Sequence, residues 1–260
     1  MREKDGIANT LIVSVALSLV ASVLVAGTAI ALKPVQQQNE ERYRQQIILD
    51  VAGLYEPGAD IAALFASIDT RMVDLDSGDY TDDVDAAAFD AEIAAKDPDD
   101  SVAIPAEADL AGLRRRAKFS PVYLVREDGA ITQVILPVYG PGLWSTMRGF
   151  LALGPDGDTI EGLRFYEHAE TPGLGDQIDR PAWRAQWAGK QVYGAGGQPQ
   201  IEVIKGFVDA DSPGAAHQVD GLSGATLTGR GVTALIRYWT GPNGFGPYLE
   251  KLRTEAGSDD

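Results

Sequence analysis

The sequence predicts an α+β protein with a single N-terminal transmembrane helix, an α-rich acidic lobe and an antiparallel-sheet lobe. Three observations carry that expectation. No charged residue occurs from residue 7 to residue 32, a stretch long enough to cross a bilayer. Thirteen Asp or Glu and a single Lys fall within residues 74–109. From residue 119 onward, short apolar runs are separated by turn signals such as Asp128-Gly129 and Asp156-Gly157, the pattern of strands joined in hairpins. The chain then divides into an anchor at 1–35, the acidic lobe at 36–118, a sheet lobe at 119–255 and a disordered tail at 256–260.

The first element, residues 7–32, holds 26 residues, and at about 1.5 Å each they exceed the ~30 Å hydrocarbon core. A secretory signal has an apolar core of only about 7–15 residues, so an uncleaved anchor is expected. Arg2 and Lys4 precede the span and Lys33, Arg42 and Arg44 follow it, a balance that by basic residues alone slightly favours a cytoplasmic soluble part. Pro34 is expected to end or kink the span. Residues 36–54 then read as a polar-faced helix with Tyr43, Ile47, Ile48, Val51 and Leu54 at helical spacing, one that docks on the soluble part. Residues 61–68 predict a shorter helix and residues 72–75 a brief strand. The acidic segment lacks the Asp-x-Asp-x-Asp-Gly loop of a calcium site, so it reads as a solvated insert.

Beyond Arg114-Arg115-Arg116, residues 121–125 and 131–138 predict an antiparallel hairpin closed at Asp128-Gly129. Residues 147–153 and 159–166 predict a second, turning at 155–158. Residues 182–187 read as a short helix that puts Trp183 and Trp187 on one face, toward the core. Residues 201–207 predict a strand carrying Lys205 among apolar neighbours. A Gly-rich segment, a helix over 234–239 and a closing helix over 245–252 complete the order.

The charge balance, 22 basic against 38 acidic residues for a net of −16, repels phosphate backbones and makes nucleic acid an unsuitable partner. With no cysteine in the chain, disulfides, thiolate catalysis and iron–sulfur ligation are excluded. His168 and His217 are the two histidines, and neither has the carboxylate spacing of a metal ligand set. No Gly-x-Ser-x-Gly elbow, P-loop or dinucleotide fingerprint occurs, so no catalytic residue is assigned and NADH is expected to bind elsewhere.

Two readings stay open for the segment Asp220-Gly221-Leu222-Ser223-Gly224-Ala225-Thr226-Leu227-Thr228. Glycines before a helix let a backbone approach an anion while the helix start supplies N–H groups and partial positive charge. The plainer reading is a helix cap with Thr228 as its N-cap.

The wording of residues 220–226 resembles the D-G-x-[ST]-G-A-T signature of the FMN-binding domain family. Tyr139-Gly140-Pro141-Gly142-Leu143-Trp144-Ser145 and Glu167-His168-Ala169-Glu170-Thr171-Pro172-Gly173-Leu174-Gly175 match further motifs in the family's order. With one N-terminal span, the layout is similar to the C-subunit family of the Na⁺-translocating NADH:quinone oxidoreductases. The G-subunit of the Rnf ferredoxin:NAD oxidoreductases is the close relative, and Gly142-Leu143-Trp144-Ser145 favours the former. The resemblance implies FMN joined through its phosphate to Thr226, placed there by a flavin transferase that uses FAD and releases AMP. It also implies that Leu222, Ser223, Gly224, Ala225 and Glu170 line the cofactor and that Thr171 meets a ring edge and Leu174 a ring face. Two readings stay open for Lys205, a positive charge near the ring or a stem that snorkels to solvent, and Trp144 is a candidate wall of the site. The implied setting is a multisubunit complex of the bacterial inner membrane that oxidises NADH, reduces quinone and exports sodium, with the soluble part periplasmic. A cofactor-free structural subunit is the alternative of another class.

Overall fold

The computed structural model describes residues 6–86 and 88–256; residues 2–5, which bear on orientation, and the expected tail from residue 257 lie outside them. Two compact units result, Met1–Gln45 and Gln46–Asp260. Helix α1, Ile7–Val51, supplies nearly all of the described part of the first. Among the described residues it is the one helix long and apolar enough to cross a membrane, and its most apolar 18-residue window is unburied. The helix does not end at Pro34, which lies inside α1. Proline forfeits one backbone bond, and the strong helix formers that follow, among them Gln36, Gln37, Gln38, Glu40 and Glu41, carry the helix on.

The second unit is built on a six-stranded antiparallel sheet in the order β2-β1-β5-β6-β7-β8. Its strands are β1 Asp69–Asp74, β2 Tyr80–Thr81, β5 Phe119–Glu127, β6 Ala130–Pro141, β7 Thr146–Leu153 and β8 Ile160–Glu167. Both expected hairpins are present. The first turns through Asp128 (φ 51°) and Gly129 (φ 87°), positive φ at both positions as a tight hairpin turn requires.

Alternation along the strands feeds two cores. Val122, Leu124, Val134, Leu136, Leu151 and Leu153 face one side, where they meet α5 (Thr226–Trp239), α6 (Gly246–Ala256), Trp183 and Trp187. Tyr123, Ile135, Phe150 and Ala152 face the other, against Ile47, Ile48 and Val51 of α1 and against Ile61 of the short helix α2, Ile61–Phe65. The helical spacing at the end of α1 is therefore a packing stripe, although Tyr43 and Leu54 remain exposed.

The expected acidic lobe at 36–118 shares the sheet, because its β1 pairs with β5 from Asp69↔Leu124 to Asp74↔Phe119. The rest holds α3 (Ala91–Ala94) and β3 (Ser101–Ala103), the latter paired with β4 (Arg115–Ala117). Several carboxylates have structural partners. Asp90 caps α3 by accepting from Glu92 N at 2.9 Å, Glu92 pairs with Arg148, Asp109 accepts from Leu113 N at 2.8 Å, and Asp76 meets the buried Arg116 at 2.5 Å. No metal-holding group of His, Asp and Glu occurs among the described residues.

The remaining elements frame the Gly-rich segment. Helix α4, Pro181–Arg184, is shorter than expected, and Trp183 and Trp187 pack edge-on at 5.6 Å. The strand expected over 201–207 is reduced to β9, Glu202–Val203, which pairs in parallel with β10, Gln218–Val219. The chain turns away at Gly206 (φ 92°), so Lys205 lies in the bend and Phe207 is 87 % exposed.

Candidate functional site

The chain leaves β10, passes through residues 220–225 and enters α5 at Thr226. Asp220 pins this passage through three groups. Its N–H donates to Gln186 Oε1 at 3.0 Å, its carbonyl accepts from Trp183 Nε1 at 2.9 Å, and its carboxylate accepts from Val208 N at 2.7 Å. The predicted core face of Trp183 thus also holds the loop. Gly224 takes φ 75°, a left-handed conformation that suits glycine. Leu222 and Ala225 are buried in the core, whereas Ser223, Gly224 and Thr226 are exposed.

Thr228 is not the N-cap. The cap position is Ala225, which offers no side-chain acceptor, so the first turn of α5 keeps N–H groups for an external partner. Thr226, the first helical residue, presents its hydroxyl at that uncapped end. Thr228 instead points inward, 1 % exposed, and donates to Glu170 Oε2.

That contact closes a strut linking three sequence motifs. Glu170 is 4 % exposed, and its Oε1 accepts from Leu143 N at 2.8 Å and Trp144 N at 3.4 Å. A Cβ at Gly142 would collide with Glu170 Oε1, and one at Gly175 would lie 2.7 Å from Thr228 Oγ1. Both glycines are where the strut has no room for a side chain. Behind it, Glu170 N donates to His168 Nδ1 at 3.2 Å, so the imidazole proton sits on Nε2 and faces Asp179 at 2.7 Å. His217 is held by the Gln191 carbonyl at 2.9 Å.

On the outer side of the strut, Trp144 is 70 % exposed and donates from Nε1 to Thr171 Oγ1 at 3.0 Å. Leu174 lies over Gly224, its Cδ2 2.9 Å from where a Cβ there would be. Trp144, Thr171 and Leu174 therefore make an apolar ledge with one hydroxyl beside the start of α5.

A groove of about 810 Å³ opens from the same point between α5 and β9, within the size range of small-molecule sites. Leu222, Ser223, Gly224, Thr226 and Lys205 line it, while Glu170 and Ala225 are buried in the protein behind. Sequence reasoning missed the helix wall, Arg230, Thr233 and Arg237. The signal was available, because these positions follow Thr226 by 4, 7 and 11 and so share one helix face. Thr233 Oγ1 accepts from Val203 N at 2.9 Å, and Arg237 donates to the Ile201 and Gln200 carbonyls at 2.8 and 2.7 Å. Together they fasten α5 to β9.

Comparison with known proteins matches residues 142–241 to the FMN-binding domain family. The C-subunit of the Na(+)-translocating NADH-quinone reductase of Pseudomonas aeruginosa is 48 % identical over 257 residues, covering 97 % of this chain and 98 % of that protein. Its namesake from Yersinia pestis is 47 % identical over 260 residues, covering 98 % and 96 %. The crystal structure of Shewanella oneidensis NqrC superposes with a TM-score of 0.76 at 35 % identity, covering 83 % of this chain and 99 % of that one.

Proposed function

The chain belongs to the C-subunit family of the Na(+)-translocating NADH-quinone reductases, and on that premise we propose that it carries FMN as a phosphoester on Thr226. Membership makes it an FMN-binding, electron-transferring subunit of a multisubunit membrane reductase. The finer reading, covalent attachment, rests chiefly on one observation, the exposed Thr226 hydroxyl at the uncapped start of α5. A phosphate there meets free N–H groups and the positive end of the helix.

The residues present suit the rest of the group. The ledge of Trp144, Thr171 and Leu174 offers a flat apolar surface and one hydroxyl, and the groove beside it is roomy enough for a flavin. When bound, FMN supplies one- and two-electron transfer. The chain's own part is to tether, orient and expose the group. Glu170 fixes the ledge to α5, the backbone of residues 223–225 presents Thr226, and both histidines are held away from the groove. Neither is placed to move a proton at the site. This is the surface of a relay that hands electrons between subunits of a sodium-exporting complex. A flavin transferase using FAD is the partner that loads it, and the soluble part is periplasmic.

Intact mass tests the attachment. The full chain made with the transferase should gain roughly 0.4 kDa, the mass of one FMN less water, and its denatured band should fluoresce under ultraviolet light. Thr226→Ala should lose both signals. An undiminished signal in Thr226→Ala would place the acceptor elsewhere.

A further inference from the structure

Arg230 has no role in the fold that its surroundings reveal. Of the groove-facing residues on α5 after Thr226, Thr233 and Arg237 are committed to β9. Arg230 is exposed, lines the groove, and has no hydrogen-bond or ionic partner among the described residues. Lys205, on the opposite wall, is exposed and equally unpartnered. Glu202 is the carboxylate that lines the groove, and Arg237 pairs with it at 3.2 Å. In a chain of net charge −16, the groove is thus left with two cations that no described side chain offsets.

We propose that Arg230 is the counter-ion of the phosphate on Thr226 and makes the site select phosphorylated flavin over its dephosphorylated form. This rests on the reading that Thr226 carries FMN. Residues four apart on a helix stand about 5–6 Å apart at Cβ. Helical side chains lean toward the N-terminus, which puts Thr226 within the reach of a guanidinium at residue 230. Its guanidinium fork matches two phosphate oxygens at once, and the helix dipole adds attraction of the same sign. A phosphodiester retains one negative charge after attachment, so one guanidinium balances it, and no bond forms or breaks in this role. Lys205 supplies longer-range attraction from the facing wall.

The test uses the full chain in detergent, made without the flavin transferase, titrated with FMN and with riboflavin while flavin fluorescence is followed. Wild type should bind FMN about tenfold more tightly than riboflavin, the scale of one charge-assisted contact. Added salt should narrow the gap. Arg230→Gln should bring the ratio near one without changing riboflavin affinity, and Arg230→Lys should restore part of it. Unchanged riboflavin binding shows that the variant is folded. A wild-type ratio retained in Arg230→Gln, equal binding of the two ligands by wild type, or no binding of FMN would overturn the proposal. Mass after loading separates the two readings. Wild type that never gains FMN defeats the attachment, whereas wild type that gains it beside an unaffected ratio in Arg230→Gln defeats only the role of Arg230.

Discussion

Replacing Glu170 with alanine measures what the strut contributes to the fold. The change removes the acceptor of Leu143 N–H at 2.8 Å and of the buried Thr228 hydroxyl; the Trp144 N–H, at 3.4 Å, is too distant to count fully. A buried donor left unsatisfied costs roughly 1–3 kcal/mol. Two such losses come to about 4 kcal/mol, and removing the desolvation cost of the carboxylate itself lowers the net to about 3 kcal/mol. For a unit of about 200 residues, that shifts the thermal midpoint down by about 6–12 °C. Glu170→Gln keeps an acceptor for Leu143, and the Thr228 hydroxyl can turn to accept from the amide, so its loss should be about 1 kcal/mol. The assay is thermal unfolding of the full chain in detergent, with acrylamide quenching of tryptophan fluorescence reporting whether the 142–145 loop has loosened. A Glu170→Ala midpoint within about 2 °C of wild type would refute the strut. Equal losses in the two variants would mean that charge rather than hydrogen bonding is what the site needs.

Orientation follows from protease access: enzyme added to spheroplasts should degrade the soluble unit, while sealed inside-out vesicles protect it, and the opposite pattern would return the choice to the basic-residue balance around the span. A pH test concerns Asp156 in the turn between β7 and β8. Burial pushes its carboxyl up, but hydrogen bonds from Thr159 Oγ1 and from the Asp158 and Thr159 N–H groups outweigh this and hold it below the usual carboxylate range. Its contribution is complete above about pH 4 and is lost as pH falls through the lowered folded value. Asp156→Asn should therefore flatten the decline of the thermal midpoint below about pH 4, by under about 1 kcal/mol because the residue is exposed; an unchanged slope would show that the carboxylate contributes nothing.

Local chemistry was legible in the sequence wherever it is self-contained. Asp128-Gly129 specified its hairpin turn, and residues 7–32 announced an apolar helix by the absence of charge alone. Pairing with distant partners was not. Residues 72–75 read as a brief strand, but the strand runs over Asp69–Asp74 and its pairing with β5, about 50 positions later, is something no local pattern reports. The apolar run 201–207 looked like a strand, yet it finds only two pairing residues in β10 before Gly206 turns it. Thr228 had the chemistry of a cap but took an interior position because buried Glu170 needed its hydroxyl. The site was legible as a set of motifs but not as an assembly. Nothing in residues 139–145, 167–175 or 220–226 taken singly says that one carboxylate joins them, or that Arg230 stands one turn along α5.

The wiring of Glu170 also bears on the order in which the protein can be completed. Its partners lie 27 positions upstream at Leu143 and 58 downstream at Thr228. The sheet can bring the first two together by hairpin closure, among the quicker steps available to a chain. Thr228 arrives only when α5 has been made and has docked across the sheet, and until then a carboxylate destined for the interior lacks its hydroxyl donor. If Thr226 is the acceptor, its ordering depends on that docking and not on the sheet alone. A loading enzyme that needs this arrangement would act on finished molecules and pass over incomplete ones, and the colour of its product would then double as a record of correct folding.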